Sequence, residues 1–318
     1  MKVTEHIQNA KGKPLFSFEI LPPLKGQNIQ SIFDNIDPLM EFKPPFIDVT
    51  YHREEYEYKE RENGLLEKKI VKKRPGTVGI CAAIQNKFKV DAIPHILCGG
   101  FTKEDTENFL IDLDFLGIEN VVALRGDAVK NEIYFKPERE GHRYASELVK
   151  QISSLNNAIY LDDELQNSTA TNFCIGVAGY PEKHMEAPSL DSDIHFLKQK
   201  IANGANYIIT QMFFDNQKYF DFVEKCREEG ITVPIIPGLK PIATKNQLNL
   251  IPHRFKVDLP DCLIMDIVKA KDNEAVSQIG IEWCIKQSEE LIKNGVPVLH
   301  YYSMGKSNNI YKIAQSLF

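Results

Sequence analysis

Short apolar runs alternate with longer amphipathic stretches along almost the whole chain. The apolar runs predict eight strands, at residues 15–20, 46–50, 92–98, 121–123, 173–178, 207–210, 234–237 and 298–302. The amphipathic stretches predict helices at residues 103–116, 144–155, 191–203, 216–229 and 275–294, and a shorter helix around 79–88. Strands that alternate with helices of this length indicate βαβ units and a parallel sheet.

The number of strands narrows the fold. Eight strands, each followed by a helix except the last, close a (β/α)8 TIM barrel, and a doubly wound sheet is the alternative. The 318 residues exceed the roughly 250 of a simple barrel by enough for insertions. We therefore predict an α/β protein with a single barrel domain over residues 1–318. Because the chain ends soon after the eighth strand, we expect no regulatory domain on the carboxyl side of the barrel.

Two segments interrupt the alternation of strands and helices. Residues 52–74 are dense in Glu, Lys and Arg and contain Asn63-Gly64, which is a turn signal. We predict that they form a solvent-facing charged insertion after strand 2, in the form of a hairpin. Residues 156–171 are polar and precede the fifth strand, and neither segment has the composition of a domain linker.

The composition excludes several classes of protein. Hydrophobic residues make up 43% and charged residues 26%, as in typical globular proteins, and the net charge of −6 argues against a nucleic-acid partner. No apolar run approaches the ~20 residues of a membrane span, and the first residues lack the apolar core of a signal peptide. The six cysteines include no Cys-x-x-Cys pair, which favours buried, reduced thiols in a cytoplasmic protein.

Polar side chains mark the ends of the predicted strands. In a barrel of this type the chemistry lies at the carboxyl ends of the strands. In chain order these ends carry Glu19, Thr50, His95, Arg125, Asp127, Tyr180, Glu182, His184, Gln211, Gly238 and Tyr302. The set contains no dense His/Asp cluster, and the chain has no His-Glu-x-x-His motif, so we predict no metal site.

Glu19 is the most unusual of these residues because it lies between apolar neighbours, in Phe16-Ser17-Phe18-Glu19-Ile20. Carboxylates are seldom buried unless they are paired or take part in function. Partial desolvation would raise the pKa of Glu19 and make it a general acid near neutral pH. A structural ion pair at the barrel mouth is the alternative.

Two further strand ends have features of a ligand site. The turn Arg125-Gly126-Asp127 places two opposite charges where an apolar strand ends, so we expect it to lie open at the strand mouth. Gly176 and Gly179 allow a flat ligand close to the backbone, Tyr180 offers a ring, and His184 is either a ligand contact or a capping histidine. No Gly-x-Gly-x-x-Gly follows the first strand, so a bound dinucleotide would lie at the barrel mouth.

Seven segments at the strand ends form an ordered set through most of the chain. They are Phe18-Glu19-Ile20-Leu21-Pro22-Pro23, Val49-Thr50-Tyr51, Pro94-His95-Ile96-Leu97-Cys98, Ala123-Leu124-Arg125-Gly126-Asp127, Val177-Ala178-Gly179-Tyr180-Pro181-Glu182-Lys183-His184-Met185-Glu186-Ala187, Gly204-Ala205-Asn206 through Thr210-Gln211-Met212-Phe213-Phe214-Asp215, and Ile235-Ile236-Pro237-Gly238. Together they resemble the methylenetetrahydrofolate reductases, in the bacterial form that consists of the catalytic barrel only.

The resemblance implies an activity. In this family FAD is held non-covalently at the barrel mouth, is reduced by NADH or NADPH, and passes hydride to the methylene carbon of 5,10-methylenetetrahydrofolate. The product, 5-methyltetrahydrofolate, feeds methionine synthesis. The resemblance further implies a homo-oligomer, as is usual in the family.

The resemblance also assigns roles to residues. Glu19 would be the general acid that opens the imidazolidine ring of the folate, and Asp127 would lie near the flavin and the pterin. The implied substrate-binding residues are Glu19, Asp127, Gln211, Tyr302 and Lys306. The implied FAD-binding residues are Thr50, His95, Arg125, Asp127, Tyr144, Ala178, Tyr180, His184, Asp193 and Lys200. Cations such as Arg125 and Lys200 suit a pyrophosphate that has no glycine-rich loop.

Three features depart from the family pattern. Lys306 stands where an arginine is usual, and a lysine cannot form bidentate hydrogen bonds. Leu250 or Ile251 occupies the place of an aromatic residue that stacks on the nicotinamide or the folate. The insertion at residues 52–74 is longer than the usual loop, and we expect it over the active site or at a subunit contact.

Three other functions fit parts of the pattern. A flavin barrel similar to proline dehydrogenase would use the same architecture on an amino acid. A pterin-binding methyl-transfer module would bind folate without flavin and ignore NADH. A catalytically inactive barrel would serve as an assembly partner, although the intact set of polar strand ends argues against it.

Overall fold

The strands form one parallel barrel sheet and one separate hairpin. The computed structural model describes residues 1–129, 132 and 134–318 of the chain. Over these residues the strands are β1 (Leu15–Ile20), β2 (Phe46–Val49), β3 (Glu55–Glu60), β4 (Leu66–Val71), β5 (Asp91–Leu97), β6 (Asn120–Leu124), β7 (Cys174–Gly179), β8 (Tyr207–Thr210), β9 (Ile235–Ile236), β10 (Gly238–Leu239) and β11 (Val298–Tyr302).

Helices follow most of the barrel strands. They are α1 (Val3–Asn9), α2 (Gln30–Ile36), α3 (Thr77–Phe88), α4 (Lys103–Phe115), α5 (Ala145–Leu155), α6 (Leu190–Ala202), α7 (Asn216–Glu228), α8 (Gln247–Phe255), α9 (Asp261–Lys269), α10 (Asn273–Lys293) and α11 (Asn308–Leu317), with a 3-10 helix at Asp37–Phe42. No helix within the described residues is both long enough and apolar enough to cross a bilayer.

The barrel closes through a strand that is interrupted at one residue. The hydrogen-bonded order is β10-β11-β1-β2-β5-β6-β7-β8-β9, and only Pro237 separates β9 from β10. Pro237 has no N–H to donate, although its carbonyl oxygen accepts a hydrogen bond from the His300 N–H at 3.2 Å. Since β9 pairs with β8 and β10 pairs with β11, the two are parts of one strand. The barrel therefore has eight strands, which confirms the predicted (β/α)8 fold and excludes the doubly wound sheet.

The predicted strands and helices agree with the observed ones to within two residues at each end, but the patterns predict neither the 3-10 helix nor five of the α-helices. These are α1, α2, α8, α9 and α11, which all have ten residues or fewer. Such helices are shorter than the window of about 11–18 residues in which helical periodicity is recognised. Because α11 follows β11, the expectation that the last strand lacks a helix is wrong.

The charged insertion is a hairpin, as predicted. Strands β3 and β4 pair in antiparallel fashion, with Tyr56 opposite Ile70. The turn contains Gly64 at φ +74°, a conformation that glycine adopts without strain. One face carries exposed Tyr56, Tyr58 and Ile70, so the insertion is less uniformly polar than its composition indicates.

Alternation along the strands divides the core into two layers. Outward-facing residues such as Phe18, Ile47 and Leu299 pack beneath the helices, and inward-facing residues such as Phe46 and Tyr207 fill the barrel. The six cysteine thiols are all free, and five of them are buried. Cys262 on α9 is exposed and is the exception to the prediction of buried thiols.

Helix α1 closes the amino-terminal end of the barrel. Val3 is fully buried and joins the inner apolar cluster. The Asn120 amide at the start of β6 fixes this segment, because its Oδ1 accepts from the Val3 N–H and its Nδ2 donates to the Met1 carbonyl oxygen, both at 2.8 Å. Apolar side chains thus seal the end of the barrel that lies opposite the carboxyl ends of the strands.

We predict that Asn120→Ala lowers the free energy of unfolding by about 1–3 kcal/mol, since it leaves the buried Val3 N–H and the partly exposed Met1 carbonyl oxygen without their hydrogen-bond partner. Chemical denaturation monitored by circular dichroism measures this loss. Asn172→Ala is the matched control, because the Asn172 side chain makes only exposed hydrogen bonds, with the Lys2 ammonium and the Glu119 carboxylate, and it should cost less than about 0.5 kcal/mol. Equal losses in the two variants would contradict the role given to Asn120.

Candidate active site

Three titratable side chains from neighbouring strands meet inside the carboxyl end of the barrel. Glu19 on β1 is in register with Asp48 on β2, and His95 follows on β5. The His95 Nε2 lies 3.4 Å from the Asp48 Oδ2 and 3.7 Å from the Glu19 Oε2. The side chain of Glu19 is only 12% exposed, and that of Asp48 is fully buried. We call Glu19, His95 and Asp48 the acid cluster.

Burial controls the protonation of the acid cluster. Desolvation raises the pKa of Glu19 to about 7, the His95 charge opposes this effect, and the Asp48 charge adds to it. Burial alone would lower the pKa of His95, but its hydrogen bond to Asp48 and the nearby Glu19 charge raise the pKa above the usual value. Glu19 can therefore hold a proton near neutral pH, and the adjacent His95 can supply another proton when Glu19 has lost its own.

A second group of charged side chains lies at the ends of β6 and β7. The Arg125 guanidinium makes two hydrogen bonds to the Glu186 carboxylate, at 2.5 and 2.7 Å, and these raise the pKa of Arg125. The Lys200 ammonium donates to the Ala178 carbonyl oxygen at 2.7 Å. Burial lowers the pKa of Lys200 to about 8, with the Asp193 charge opposing it. Two cations thus flank the end of β7.

An aromatic pair lies near these two cations, whose charges both act on His184. The rings of Tyr180 and His184 meet edge to face at 4.7 Å between centroids. The backbone N–H of His184 donates to the Asp193 Oδ2 at 2.8 Å, which fixes the loop after β7. Burial and the Arg125 charge lower the pKa of His184, so the imidazole is neutral at pH 7. Arg125, Ala178, Tyr180, His184, Asp193 and Lys200 therefore lie close to one another, and we call them the cation group.

The remaining strand-end residues are held by the backbone around them. The Thr50 Oγ1 donates to the Ile20 carbonyl oxygen at 2.9 Å, and the Tyr302 hydroxyl donates to the Thr210 carbonyl oxygen at 2.6 Å. The Gln211 Oε1 accepts from the Met212 N–H at 2.9 Å. Asp127 is exposed beyond the turn at Gly126, where φ is +84°. The turn is therefore open, as expected from its two charges.

Two of the predicted site residues lie apart from both groups. Tyr144 precedes α5 and is 48% exposed, and Lys306 is exposed in the loop after β11. Over the residues that the structure describes, no hydrogen bond or ion pair joins either side chain to the acid cluster or the cation group. Their assignment to the site rests on the resemblance alone.

Comparison with known proteins identifies the family. A model of the methylenetetrahydrofolate reductase family matches residues 2–318. The chain belongs to this family. It is 32% identical to methylenetetrahydrofolate reductase 1 of Schizosaccharomyces pombe over all of its own length and 48% of that protein. It is 29% identical to the 5,10-methylenetetrahydrofolate reductase of Salmonella typhimurium over 99% of its own length and 94% of that protein. The chain thus spans about half the length of the eukaryotic reductases it resembles.

A solved structure supports the fold. An uncharacterised protein from Clostridium thermocellum that binds two copies of 5-methyl-5,6,7,8-tetrahydrofolic acid superposes with a TM-score of 0.57, over 98% of this chain and 96% of that chain. The sequence identity is 15%, so this similarity concerns the architecture of the barrel only.

In this member of the reductase family, the structure reveals three charged residues near the site that the strand-end pattern does not identify. Asp48 was detectable as a carboxylate inside the apolar run 46–50. Lys240 follows β10 and is 7% exposed, and it would have been found if the seventh strand had been extended past Pro237. Burial lowers the pKa of Lys240, and the charges of Cys284 and Glu19 oppose this effect. Glu186 lies within a segment that matches the reductase family, but its pairing with Arg125 could not be predicted.

The structure distinguishes the two candidates for the missing aromatic residue of the reductase family. Ile251 is 1% exposed and packs with Met212 and Leu263 in a separate core cluster. Leu250 is 46% exposed on α8. Only Leu250 is accessible to a ligand, and it offers a smaller and non-planar surface.

We predict that Glu19→Gln stabilises the protein in a pH-dependent way. Folding raises the pKa of Glu19 from 4.5 to about 7, so the wild type loses stability as the pH rises through this range. The variant does not ionise, and its advantage in the free energy of unfolding should grow to about 3.5 kcal/mol above pH 8, because each tenfold difference in proton affinity is worth ~1.4 kcal/mol.

Urea unfolding of both proteins at pH 5 and pH 8 measures this difference. Glu60→Gln, on the exposed hairpin, is the control and should show the same small difference at both pH values. A Glu19→Gln effect that does not change with pH would mean that Glu19 is ionised in both states.

Proposed function

We propose that the protein is an FAD-dependent methylenetetrahydrofolate reductase, which uses NADH or NADPH to reduce 5,10-methylenetetrahydrofolate to 5-methyltetrahydrofolate for methionine synthesis. The observation that carries the proposal is the acid cluster: a buried glutamic acid with a pKa of about 7, beside an imidazole, at the mouth of a barrel of this family. Reduction of this folate consumes one proton, and Glu19 is suited to supply it. Relatives are named as NADH-using and NADPH-using reductases.

The cation group has the chemistry needed to hold FAD. The pyrophosphate of a dinucleotide requires cationic or N–H donors, and Arg125 and Lys200 provide two cations near the Tyr180–His184 pair. The residues that would line the FAD are Thr50, His95, Arg125, Asp127, Tyr144, Ala178, Tyr180, His184, Asp193 and Lys200. When bound, the flavin supplies the transfer of hydride from the nicotinamide to the folate.

Glu19 supplies the proton of the folate step. Its carboxylic acid would donate to the N10 atom as the bond between N10 and the methylene carbon breaks, and the resulting cation on the folate would be the hydride acceptor. The product then holds one more proton and one more hydride than the substrate. Gln211, Tyr302, Asp127 and Lys306 would contact the folate from the other strand ends, with Lys306 as a point charge for an anion.

Absorbance spectroscopy tests the proposal directly. Purified protein supplemented with FAD is mixed anaerobically with NADH and then with 5,10-methylenetetrahydrofolate. Bleaching of the flavin band by NADH and its return with the folate would support both half-reactions. Bleaching without return would indicate another substrate, as in a barrel similar to proline dehydrogenase, and absence of bound flavin would favour a pterin-binding module. We further propose that the protein is a cytoplasmic homo-oligomer. Size-exclusion chromatography with light scattering would measure its oligomeric state.

We predict that Glu19→Gln retains flavin reduction by NADH within about twofold but slows flavin reoxidation by the folate by about 10²–10⁴-fold, because only the second step needs a general acid. Stopped-flow absorbance measures the two steps separately. Glu107→Gln is the matched control, since Glu107 is a buried carboxyl on α4 with a raised pKa that accepts from the Leu161 N–H away from the barrel mouth. Equal damage to both half-reactions in Glu19→Gln would refute the role of Glu19.

We predict that Asp127→Asn raises the midpoint potential of bound flavin. A carboxylate beside the flavin opposes the build-up of negative charge on reduction, so its removal favours the reduced form. A spectroelectrochemical titration measures the shift, with Asp112→Asn on the outer face of α4 as the control. An unchanged potential would place the Asp127 carboxylate away from the ring.

A further inference from the structure

Lys240 is a buried cation at the barrel mouth to which the proposed mechanism assigns no role. Lysine side chains are almost never buried unless a partner group balances the charge. Lys240 is 7% exposed, yet its ammonium forms neither an ion pair nor a side-chain hydrogen bond with any residue that the structure describes. Such a buried charge costs folding free energy, and buried charges of this kind occur mainly at functional sites.

The register of the sheet brings Lys240 to the level of the general acid. Gly238 on β10 pairs with His300 on β11, so Lys240, two residues further on, comes at the level of Tyr302. Tyr302 in turn pairs with Glu19 on β1. Lys240 and Glu19 therefore lie at the same height of the barrel, with only β11 between their strands.

The tyrosine between them is engaged elsewhere. The Tyr302 hydroxyl donates to the Thr210 carbonyl oxygen on β8 at 2.6 Å. Its ring lies against Gly238, where a Cβ would be only 2.6 Å from the Tyr302 Cε2. Because its proton is committed to Thr210, the hydroxyl does not neutralise a carboxylate on Glu19. The Lys240 ammonium is the cation at this level that can do so.

The charges around Lys240 make Glu19 its electrostatic partner. Burial lowers the pKa of Lys240, and negative charge on Cys284 or on Glu19 opposes this effect. Burial also raises the pKa of the Cys284 thiol to about 12, so the thiol is neutral near pH 7. Glu19 ionises near pH 7, and the Lys240 charge lowers its pKa in turn. The anion that acts on Lys240 thus appears when Glu19 loses its proton.

We propose that Lys240 is a positioning residue for the general acid, and that its ammonium stabilises the carboxylate that Glu19 becomes when the proton passes to the folate. The proposal rests on the proposed function and extends it. In this step the O–H bond of Glu19 breaks and the N10–H bond of the folate forms, while Lys240 keeps its protons. Burial alone would hold the proton on Glu19, whereas a nearby cation promotes its release. The titratable groups around this exchange are Glu19, Asp48, His95, Lys240, Cys284 and Tyr302.

Urea unfolding tests the pairing of Lys240 with Glu19 without reference to catalysis. Lys240→Met keeps an unbranched side chain and removes the charge. We expect it to lower the urea midpoint more at pH 8 than at pH 5, because only at pH 8 does it leave a buried Glu19 carboxylate without this cation. In the Glu19→Gln background, the effect of Lys240→Met should be the same at both pH values.

Lys245→Met is the matched control. Lys245 lies in the same segment after β10, is exposed, and donates to the Val268 carbonyl oxygen at 3.1 Å. Its substitution should change the urea midpoint by the same small amount at pH 5 and pH 8, and it should leave both half-reactions unchanged.

The pH dependence of the folate half-reaction tests the role in catalysis. We expect Lys240→Met to slow flavin reoxidation by about three- to tenfold at pH 6, where Glu19 is protonated in both proteins, because a weaker acid transfers its proton more slowly. The deficit should shrink above pH 8, because the variant keeps Glu19 protonated to higher pH. Flavin reduction by NADH should stay within twofold. Stopped-flow absorbance between pH 6 and pH 9 measures both rates.

Two results would overturn the proposal. One is a urea midpoint whose response to Lys240→Met does not depend on pH. The other is slowing by the same factor at every pH, which would mean that Lys240 binds an anionic part of the folate or has a structural role only. Failure of the wild type to be reoxidised by the folate would instead refute the proposed function, and the urea comparison would still decide whether Lys240 pairs with Glu19.

Discussion

The desolvation of Glu19 is the constraint on which the rest of the site depends. A carboxyl group in water would be ionised at neutral pH and could not donate a proton, whereas burial raises the pKa of Glu19 to about 7. The same burial would be energetically prohibitive if the charges of the groups around Glu19 did not balance one another. The His95 imidazole between Glu19 and Asp48 limits that cost, because it can carry a positive charge beside two groups that can carry negative ones.

The amino-terminal end of the barrel helps to keep Glu19 desolvated. Water must be kept out of the interior for Glu19 to remain desolvated, and α1 does this by placing Val3 in the inner apolar cluster. The Asn120 amide ties that helix to β6, and the strand interrupted at Pro237 completes the ring. Features far from the chemistry thus set the protonation of the acid at the mouth, since they determine the dielectric in which it lies.

The sequence predicts most of the architecture because strands and long helices have periodicities that a single chain displays. It also predicts Glu19 and His95, because polar residues at the ends of apolar strands are conspicuous. Contacts between side chains from different elements cannot be predicted in the same way. Asp48 is visible as a misplaced carboxylate, but that it contacts His95 depends on strands β2 and β5 lying side by side. The pairing of Arg125 with Glu186 joins residues separated by 61 positions, and no local pattern encodes it.

The cation group shows how the same balance of charge operates at the other side of the mouth. Arg125 already has a carboxylate partner in Glu186, and the positive charge of Lys200 is opposed by Asp193. The phosphates of a pyrophosphate-containing cofactor would therefore replace these carboxylates as the partners of Arg125 and Lys200, which are not unpaired cations before the cofactor binds. Such an exchange yields little net attraction, since each new ion pair replaces an old one, but it favours a ligand whose negative charges match the spacing of Arg125 and Lys200. Selectivity on this side of the barrel mouth is thus expected to come from geometry, whereas reactivity on the other side of the mouth comes from burial.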